Sequence, residues 1–131
     1  MSQESLQRIQ SIPSSLLVFE RMIRALNLHD LEAMVACFAL DFRSEQPFHP
    51  ERNFTGRDGV HRNWSSFFKT TPDIQVQILN KAAEGDIVWA ELHFHGINTD
   101  GTQHRIRGVT LSGIQNDQIS WSRLYIEPVQ A

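Results

Sequence analysis

The stretch "IVWAELHFHGI", residues 87–97, lies in the middle of the β-rich part of the chain, and its two faces decide the architecture. Successive side chains of a strand point to opposite faces of the sheet. Glu91, His93 and His95 therefore share one face, and the apolar residues between them share the other. The polar face either holds a metal ion or forms the back of a sheet, and the choice depends on which face meets the interior.

Turn-forming residues separate this stretch from further strands on both sides. Gly85 and Asp86 precede it, "NTDGTQ" (98–103) follows it, and Asn116 with Asp117 comes later. Such residues favour tight turns between antiparallel strands. The sequence therefore predicts a meander of four strands, formed by residues 74–83, 87–97, 104–114 and 118–128.

The turn lengths predict how these strands pair. With a turn over residues 98–103, Phe94 is expected to oppose Arg107, and with a two-residue turn at 116–117, Val109 is expected to oppose Leu124. The predicted inner face, which should meet the helices, then contains Val88, Ala90, Leu92, Phe94, Arg107, Val109, Leu111, Ser122, Leu124 and Ile126. The predicted outer face contains Trp89, Glu91, His93, His95, Thr110, Trp121, Arg123, Tyr125 and Glu127.

The first half of the chain has helical patterns. In residues 15–26, apolar side chains recur at helical spacing, and Asp30 is a suitable N-cap for a short second helix over 31–38. The alternation in "DFRSEQPF", residues 41–48, indicates a strand.

A third helix is predicted over residues 60–68. Thr55 and Asp58 form a capping-box pattern before it. Helices followed by an antiparallel meander indicate the α+β class, with the helices packed on one face of a curved sheet.

Length and composition fit one soluble globular domain. The chain has 131 residues, of which 40% are hydrophobic. We expect residues 13–131 to form this domain and residues 1–12 to be a flexible N-terminal tail. The net charge of −3 and the short apolar runs indicate neither a nucleic-acid partner nor a membrane partner. The polar N-terminus lacks the apolar core of a signal peptide, so a cytoplasmic location is expected.

The face assignment bears on the metal reading of Glu91, His93 and His95. A His-x-His pair beside a carboxylate is a legitimate arrangement for a divalent metal. On the predicted outer face, however, Arg123 and Tyr125 are neighbours, and a cation beside an arginine is disfavoured. The sequence therefore favours a hydrogen-bonded surface or interface, and neither a metal nor another cofactor is predicted.

Four stretches between Val18 and Val129 resemble, in this order, the SnoaL-like, nuclear-transport-factor-2-like superfamily. They are "ALNLHDLEAMVACFALDFRSEQP", "FTGRDGVHRNW", "GDIVWAELHFHG" and "NDQISWSRLYIEP". The resemblance implies a cystatin-like cone, in which three N-terminal helices pack on a curved antiparallel sheet and leave an apolar pocket at the open end.

The ketosteroid isomerase branch of this superfamily is the nearest mechanistic template. The position of its carboxylate base, immediately before a proline, falls on Gln46, and the position of its tyrosine donor falls on Met22. Gln46 has essentially no basicity, and Met22 donates no hydrogen bond. The resemblance therefore implies the scaffold without Δ5-3-ketosteroid isomerase activity.

The implied pocket would take its lining from the helices and the inner sheet face. Arg107 is its strongest polar feature, and it either anchors an anionic ligand group or extends from the mouth of the cone into water. His49 and His61 flank the predicted entrance, and either could replace the missing carboxylate base. The candidate ligand-pocket residues are Met22, Gln46, Phe48, Trp64, Phe68, Phe94, Arg107, Val109 and Ser122.

Two classes of function fit these features. The first is an enzyme of the isomerase, cyclase or dehydratase type that acts on a small hydrophobic metabolite. The second is a non-catalytic ligand-binding, dimerisation or accessory module, and the sequence does not choose between them. Trp89, Trp121 and Tyr125 lie among charged residues, which predicts a homodimer through the outer sheet face. The superfamily often dimerises there.

Overall fold

The computed structural model describes residues 12–130, so residues 1–11 of the predicted tail and residue 131 lie outside the described residues. The division into a tail and one domain stays a prediction. The helices are α1 (Ser14–Asn27), α2 (Leu31–Val35) and α3 (Arg57–Thr70), and a 3₁₀ turn covers Pro50–Arg52. The strands are β1 (Phe38–Glu45), β2 (Phe54–Thr55), β3 (Gln75–Glu84), β4 (Ile87–Ile97), β5 (Gln103–Gln115) and β6 (Gln118–Pro128). No helix among residues 12–130 is long and apolar enough to cross a membrane.

The strands form one mixed sheet in the order β2-β1-β6-β5-β4-β3. Strands β3 to β6 make the predicted antiparallel meander. Strand β1, however, pairs in parallel with β6, so the prediction of a purely antiparallel sheet is wrong. This pairing joins strands that are distant in the sequence, and no hairpin turn could reveal it. Helix α3 follows β1 and β2, so only α1 and α2 precede the sheet.

Helix α1 packs its apolar stripe towards the interior. Phe19, Met22 and Leu26 are buried, as their helical spacing predicts. At the end of α1, Asn27 joins the helix to β3. Its Nδ2 donates to the carbonyl oxygen of Val76 at 3.0 Å, and its Oδ1 accepts from the Val76 backbone N–H at 2.7 Å.

The starts of α2 and α3 are fixed in different ways. Asp30 is the N-cap of α2, as predicted, and its Oδ1 accepts a first-turn backbone N–H at 3.1 Å. Helix α3 begins after Gly56, whose φ of 103° favours glycine, and no side chain caps it. The capping box predicted from Thr55 and Asp58 is therefore wrong. Instead, Arg57 Nε donates to a carbonyl oxygen of β1 at 2.9 Å and anchors the start of α3.

The β4–β5 pairing differs from the predicted pairing by one residue. Phe94 opposes Ile106 rather than Arg107. The cause is the turn, which spans residues 98–102 and pairs Ile97 with Gln103. Because side chains alternate, shortening the turn by one residue moves every β5 side chain to the opposite face.

A β-bulge then shifts the β5–β6 pairing. The predicted two-residue turn is present, and Ile114 opposes Ile119 as expected. Gly113, however, opposes Trp121, which leaves Ser120 as an extra residue on β6. This second one-residue shift cancels the first, so the predicted faces are right for β4 and β6 and wrong for β5.

The corrected β5 register changes both faces of the sheet. Ile106, Thr110 and Ser112 belong to the inner face. The three β5 residues predicted to face inwards, Arg107, Val109 and Leu111, lie on the outer face with Arg105. Thr110, which the sequence placed outside, is buried. The buried apolar core between the helices and the inner face contains Val18, Phe19, Met22, Ile23, Ala25, Leu26, Met34, Val35, Cys37, Phe38, Phe42, Val60, Val76, Val88, Ala90, Leu92, Ile114 and Ile119.

Candidate functional site

A cavity of about 490 Å³ lies between the inner sheet face and helices α1 and α3. Most of its wall is apolar. Phe19 and Met22 come from α1, Trp64 from α3, and Leu92 and Phe94 from β4. Trp64 and Phe94 stack with 6.3 Å between ring centroids, so the aromatic part of the wall is continuous from the helix to the sheet. This is the composition of a pocket that takes an apolar molecule.

A row of hydroxyl groups crosses the floor of the cavity. Ser44 on β1 is paired with Ser122 on β6, and Ser122 is paired with Ser112 on β5, so the three serines lie side by side. All three are buried, and the Oγ atoms of Ser112 and Ser122 share a hydrogen bond of 3.0 Å. Short polar side chains at these inward positions keep the floor open, since none of them fills the space that a leucine would.

Thr110 is the next inward residue of β5, and it also lines the cavity. The residue is only 4% exposed, yet its Oγ1 has no hydrogen-bond partner within residues 12–130. A buried hydroxyl without a partner costs free energy, and such groups are few in folded proteins. Thr110 therefore carries an unused donor and acceptor in the wall of the cavity.

Polar lining residues that are exposed or half-buried mark the open end of the cavity, which we call the mouth: Gln46, Arg52, Asn63, Ser66 and His104. The Gln46 backbone N–H donates to Asn53 Oδ1 at 2.7 Å, which holds the segment after β1. Arg52, at the end of the 3₁₀ turn, donates from Nη1 to Gln46 Oε1 at 3.3 Å. No aspartate or glutamate lines the cavity within the described part of the chain.

Among the described residues that line the cavity, His104 is the one histidine, and it lies at the start of β5. Its ring packs edge-on against Phe67, with 6.2 Å between centroids. Burial lowers the pKa of His104 below its ordinary value of 6.5, because a charged imidazolium is poorly solvated there. At neutral pH the ring is uncharged and one of its nitrogens can accept a proton.

Five of the predicted pocket residues come together at this cavity. Met22, Gln46, Trp64, Phe94 and Ser122 all line it. Gln46 lies at the mouth, next to Arg52, and Ser122 lies in the hydroxyl row on the floor.

The other four predicted residues do not line the cavity. Arg107 and Val109 lie on the outer face, because the β4–β5 turn is one residue shorter than expected. Phe48 lies beyond the end of β1, where strand alternation no longer applies, and it is 73% exposed with its ring 5.5 Å from that of Tyr125. Phe68 packs against the core beside the cavity rather than in its wall.

Sequence reasoning missed Arg52, His104, Thr110 and Ser112 among the lining residues. For β5 a signal existed. In "HRIRGVTLSGI" two arginines share one face, and burying two guanidinium groups costs more than exposing a valine and a leucine. That comparison alone orients β5 correctly. Arg52 lies in a 3₁₀ turn outside any periodic pattern, so the sequence carries no comparable signal for it.

The two histidines predicted at the entrance lie elsewhere. Nε2 of His49 contacts a carboxylate oxygen of Glu127, and its Nδ1 lies 3.7 Å from Glu51 Oε1. His61 Nε2 lies 3.4 Å from Glu32 Oε1 on α2. Neither histidine lines the cavity, so neither can act as a base on a molecule bound there.

The outer face around His93 and His95 carries more positive charge than the sequence suggested. The two rings lie 5.4 Å apart, His93 opposes Arg107, and His95 opposes Arg105. Partial burial, the neighbouring His95 and the two arginines lower the pKa of His93. No group of three His, Cys, Asp or Glu side chains that could hold a metal ion occurs in residues 12–130. Arg105 and Arg107 lie directly opposite the two histidines, so their charges would repel a cation bound there.

An apolar area lies further along the same face, and we call it the outer patch: Trp89, Val109, Leu111, Trp121 and Tyr125. Trp89 is 46% exposed and Val109 is 37% exposed. Charged residues surround the outer patch, and the guanidinium of one of them, Arg123, lies 5.1 Å above the ring of Trp121. The outer patch is larger than the sequence predicted, because Val109 and Leu111 were expected on the inner face and lie on the outer face.

The model of the SnoaL-like domain family matches residues 19–121. A Mycobacterium tuberculosis protein solved in complex with estradiol-17β-hemisuccinate is 18% identical, with a TM-score of 0.75 and coverage of 87% of this chain and 94% of that one. A Jannaschia protein inferred to be a SnoaL-like polyketide cyclase is 18% identical, with a TM-score of 0.73 and coverage of 87% and 85%.

A Novosphingobium aromaticivorans protein with a cystatin fold is 19% identical, with a TM-score of 0.70 and coverage of 86% and 97%. At such identities the likeness confirms the cystatin-like α+β fold and nothing finer. No curated protein sequence gives a significant match.

Proposed function

The chain belongs to the SnoaL-like domain family, as the resemblance indicated, and we propose that it binds a small, mainly apolar molecule inside its cone. The observation that carries this proposal is the Thr110 hydroxyl, which is buried at the cavity and has no partner among the described residues. A fold retains such a group at a cost in stability, and a bound molecule with a hydroxyl or carbonyl group would satisfy it.

The size and chemistry of the cavity support this proposal. Its volume of about 490 Å³ falls within the range of roughly 300–1,000 Å³ that is typical of small-molecule sites. The aromatic and aliphatic wall would supply the burial of apolar surface, at roughly 25 cal/mol per Å². The hydroxyl row and Thr110 would orient the molecule.

Catalysis in the same cone is the second candidate, and His104 is the observation that favours it. A neutral imidazole at the mouth of an apolar cavity is suited to remove a proton from a carbon next to a carbonyl group. Such a step is common to isomerase, cyclase and dehydratase chemistry. In the other alternative, the cone binds its ligand without changing it.

One variant that fills the cavity and one matched surface variant test the binding proposal. N-phenyl-1-naphthylamine, a neutral dye that fluoresces in apolar surroundings, should bind the wild-type chain in a saturable way. Leu124 lines the cavity, whereas Leu40 is 76% exposed on β1. Leu124→Trp should remove dye binding, and Leu40→Trp should leave it unchanged. Absence of saturable binding to the wild type, or equal binding to both variants, would contradict the proposal.

The outer patch supports a second part of the proposal, a homodimer through the outer sheet face. Exposed aromatic residues with a charged rim are typical of interfaces. The rim contains both Glu91 and Glu127 and the arginines at 105, 107 and 123, so two copies of this face could pair opposite charges. Light scattering should give the mass of two chains for the wild type and for Leu40→Arg, and of one chain for Val109→Arg. A monomeric wild type at micromolar concentration would disprove the dimer.

A further inference from the structure

We infer that the molecule bound in the cone is an anionic amphiphile and that Arg52 holds its charged group at the mouth. This inference rests on the proposed binding function and names the class of ligand for the same cavity. Its starting point is the location of Arg52, the single arginine among the residues that line the cavity in the described chain.

The charges around the cavity favour an anion. Within residues 12–130, the lining contains no carboxylate, and it contains Arg52 as its one permanently charged group. The one ion pair of Arg52 in the described chain is with Glu51, which does not line the cavity, so a neutral ligand would leave the guanidinium without a counter-charge inside the cavity. A cationic ligand would be repelled by it. An anionic group placed at the mouth would complete the charge balance of the cavity.

The guanidinium has unused hydrogen-bonding capacity. Arg52 Nη1 donates to the neutral Gln46 Oε1 at 3.3 Å, and its Nε lies 4.0 Å from Glu51 Oε1. These contacts are long, and a guanidinium has five N–H donors in a planar fork. Two other arginines have closer partners: Arg57 Nε donates to a carbonyl oxygen of β1 at 2.9 Å, and Arg123 Nε lies 3.3 Å from Glu45 Oε2 on the outer side. Arg52 can therefore donate two parallel hydrogen bonds to a carboxylate or sulfonate.

The position of the charge also fits the desolvation cost. The Arg52 side chain is 50% exposed, so an anion beside it would keep part of its hydration, whereas the cavity floor is buried. Burying a charge in the floor would cost several kcal/mol without a paired cation. The ligand should therefore place its apolar body between Trp64 and the sheet, its charged end at Arg52, and any hydroxyl or carbonyl group near Thr110.

A pair of dyes separates this inference from the binding proposal. 1-Anilinonaphthalene-8-sulfonate is N-phenyl-1-naphthylamine with one added sulfonate, so the two dyes share an apolar body and differ in charge. Each would be titrated into the wild type, Arg52→Gln and Arg62→Gln. Arg62 is the matched control, because it is an exposed arginine of α3 that does not line the cavity. Mutual displacement of the dyes on the wild type establishes that they share the cavity.

We expect Arg52→Gln to lower the affinity for the sulfonated dye by about 10-fold, which is the scale of one charge-assisted hydrogen bond at a partly exposed site. The affinity for the neutral dye should change less than twofold, and Arg62→Gln should affect the binding of neither dye. If both dyes bind and Arg52→Gln affects them equally or not at all, the inference is wrong and the binding proposal stands. An equal loss of affinity for the sulfonated dye in Arg62→Gln would also overturn the inference, because it would indicate an effect of general surface charge. If neither dye binds the wild type, the binding proposal itself fails.

Discussion

Replacing Thr110 by valine should stabilise the protein and weaken its ligand binding. Valine has nearly the shape of threonine, with a methyl group in place of the hydroxyl, so packing around β5 should be retained. The hydroxyl that is removed is buried and has no partner within residues 12–130. The free protein therefore loses an unfavourable group, whereas a complex would lose a hydrogen bond.

The magnitudes follow from these two roles. An unsatisfied buried hydroxyl costs about 1–3 kcal/mol, and the lower end applies because the cavity opens to solvent at its mouth. For 131 residues, an unfolding entropy of about 2.1 cal/mol/K per residue gives about 0.28 kcal/mol/K, so 1 kcal/mol corresponds to an increase in Tm of about 4 °C. Losing one ligand hydrogen bond of about 0.5–1.5 kcal/mol should weaken affinity roughly 2- to 12-fold.

Two assays and one control variant test this prediction. Calorimetry gives the Tm, and displacement of N-phenyl-1-naphthylamine gives the affinity for 2-naphthol, a small apolar probe that carries one hydroxyl group. Thr110→Ser keeps the hydroxyl and removes a methyl group, so it should lower the Tm by about 3–4 °C and retain affinity. If Thr110→Val lowers the Tm instead, the hydroxyl has a stabilising partner and the argument for an unused group is refuted.

Three further predictions concern packing, pH and chemistry. Gly113→Ala should destabilise the fold by about 1–3 kcal/mol in urea denaturation, because its Cβ would lie 1.9 Å from Trp121 Nε1; an unchanged midpoint would contradict this. Since the pKa of folded His104 is lowered below 6.5, the unfolded chain binds the proton first as pH falls. Stability should therefore decline below about pH 6.5, and the decline should be smaller in His104→Gln than in the wild type or His61→Gln. Isomerisation of Δ5-3-ketosteroids, followed by ultraviolet absorbance, should stay near background because Gln46 is no base and no carboxylate lines the described cavity; robust turnover would contradict this.

The sequence predicted the elements of this fold because their signals are local. The helical spacing in α1, the cap at Asp30 and the turn residues of the meander all act within a few positions of the chain. The parallel pairing of β1 with β6 was not predictable in the same way, since it joins residues about 80 positions apart, such as Ser44 and Ser122. The capping box failed because the chain uses the positive φ of Gly56 and an arginine contact instead.

The candidate site was harder to predict than the fold. Its chemistry depends on which face of β5 lines the cavity, and this is set by a single residue in the strand register. A shift of one residue leaves strand lengths, turn positions and fold class unchanged, yet it exchanges the two faces of β5. It replaces Arg107 and Val109 inside the cone by Thr110 and Ser112. The strength of the turn signals, which fix the fold, therefore says little about which side chains meet a ligand.

The energetics of β5 explain why only one of the two registers, which differ by one residue, is stable. They also explain why the stable register creates the site. With the alternative register, Arg105 and Arg107 would enter a cone that has no carboxylate among its described lining residues, and each guanidinium would lose hydration without a partner. With the observed register, both arginines are exposed, at the cost of leaving Val109 37% exposed and one buried hydroxyl unpaired. Both of these costs lie where a second molecule could remove them, since Val109 is in the outer patch and Thr110 lines the cavity. The β5 register that keeps both arginines out of the cone therefore also produces the outer patch and the cavity wall, the two surfaces for which we propose partners.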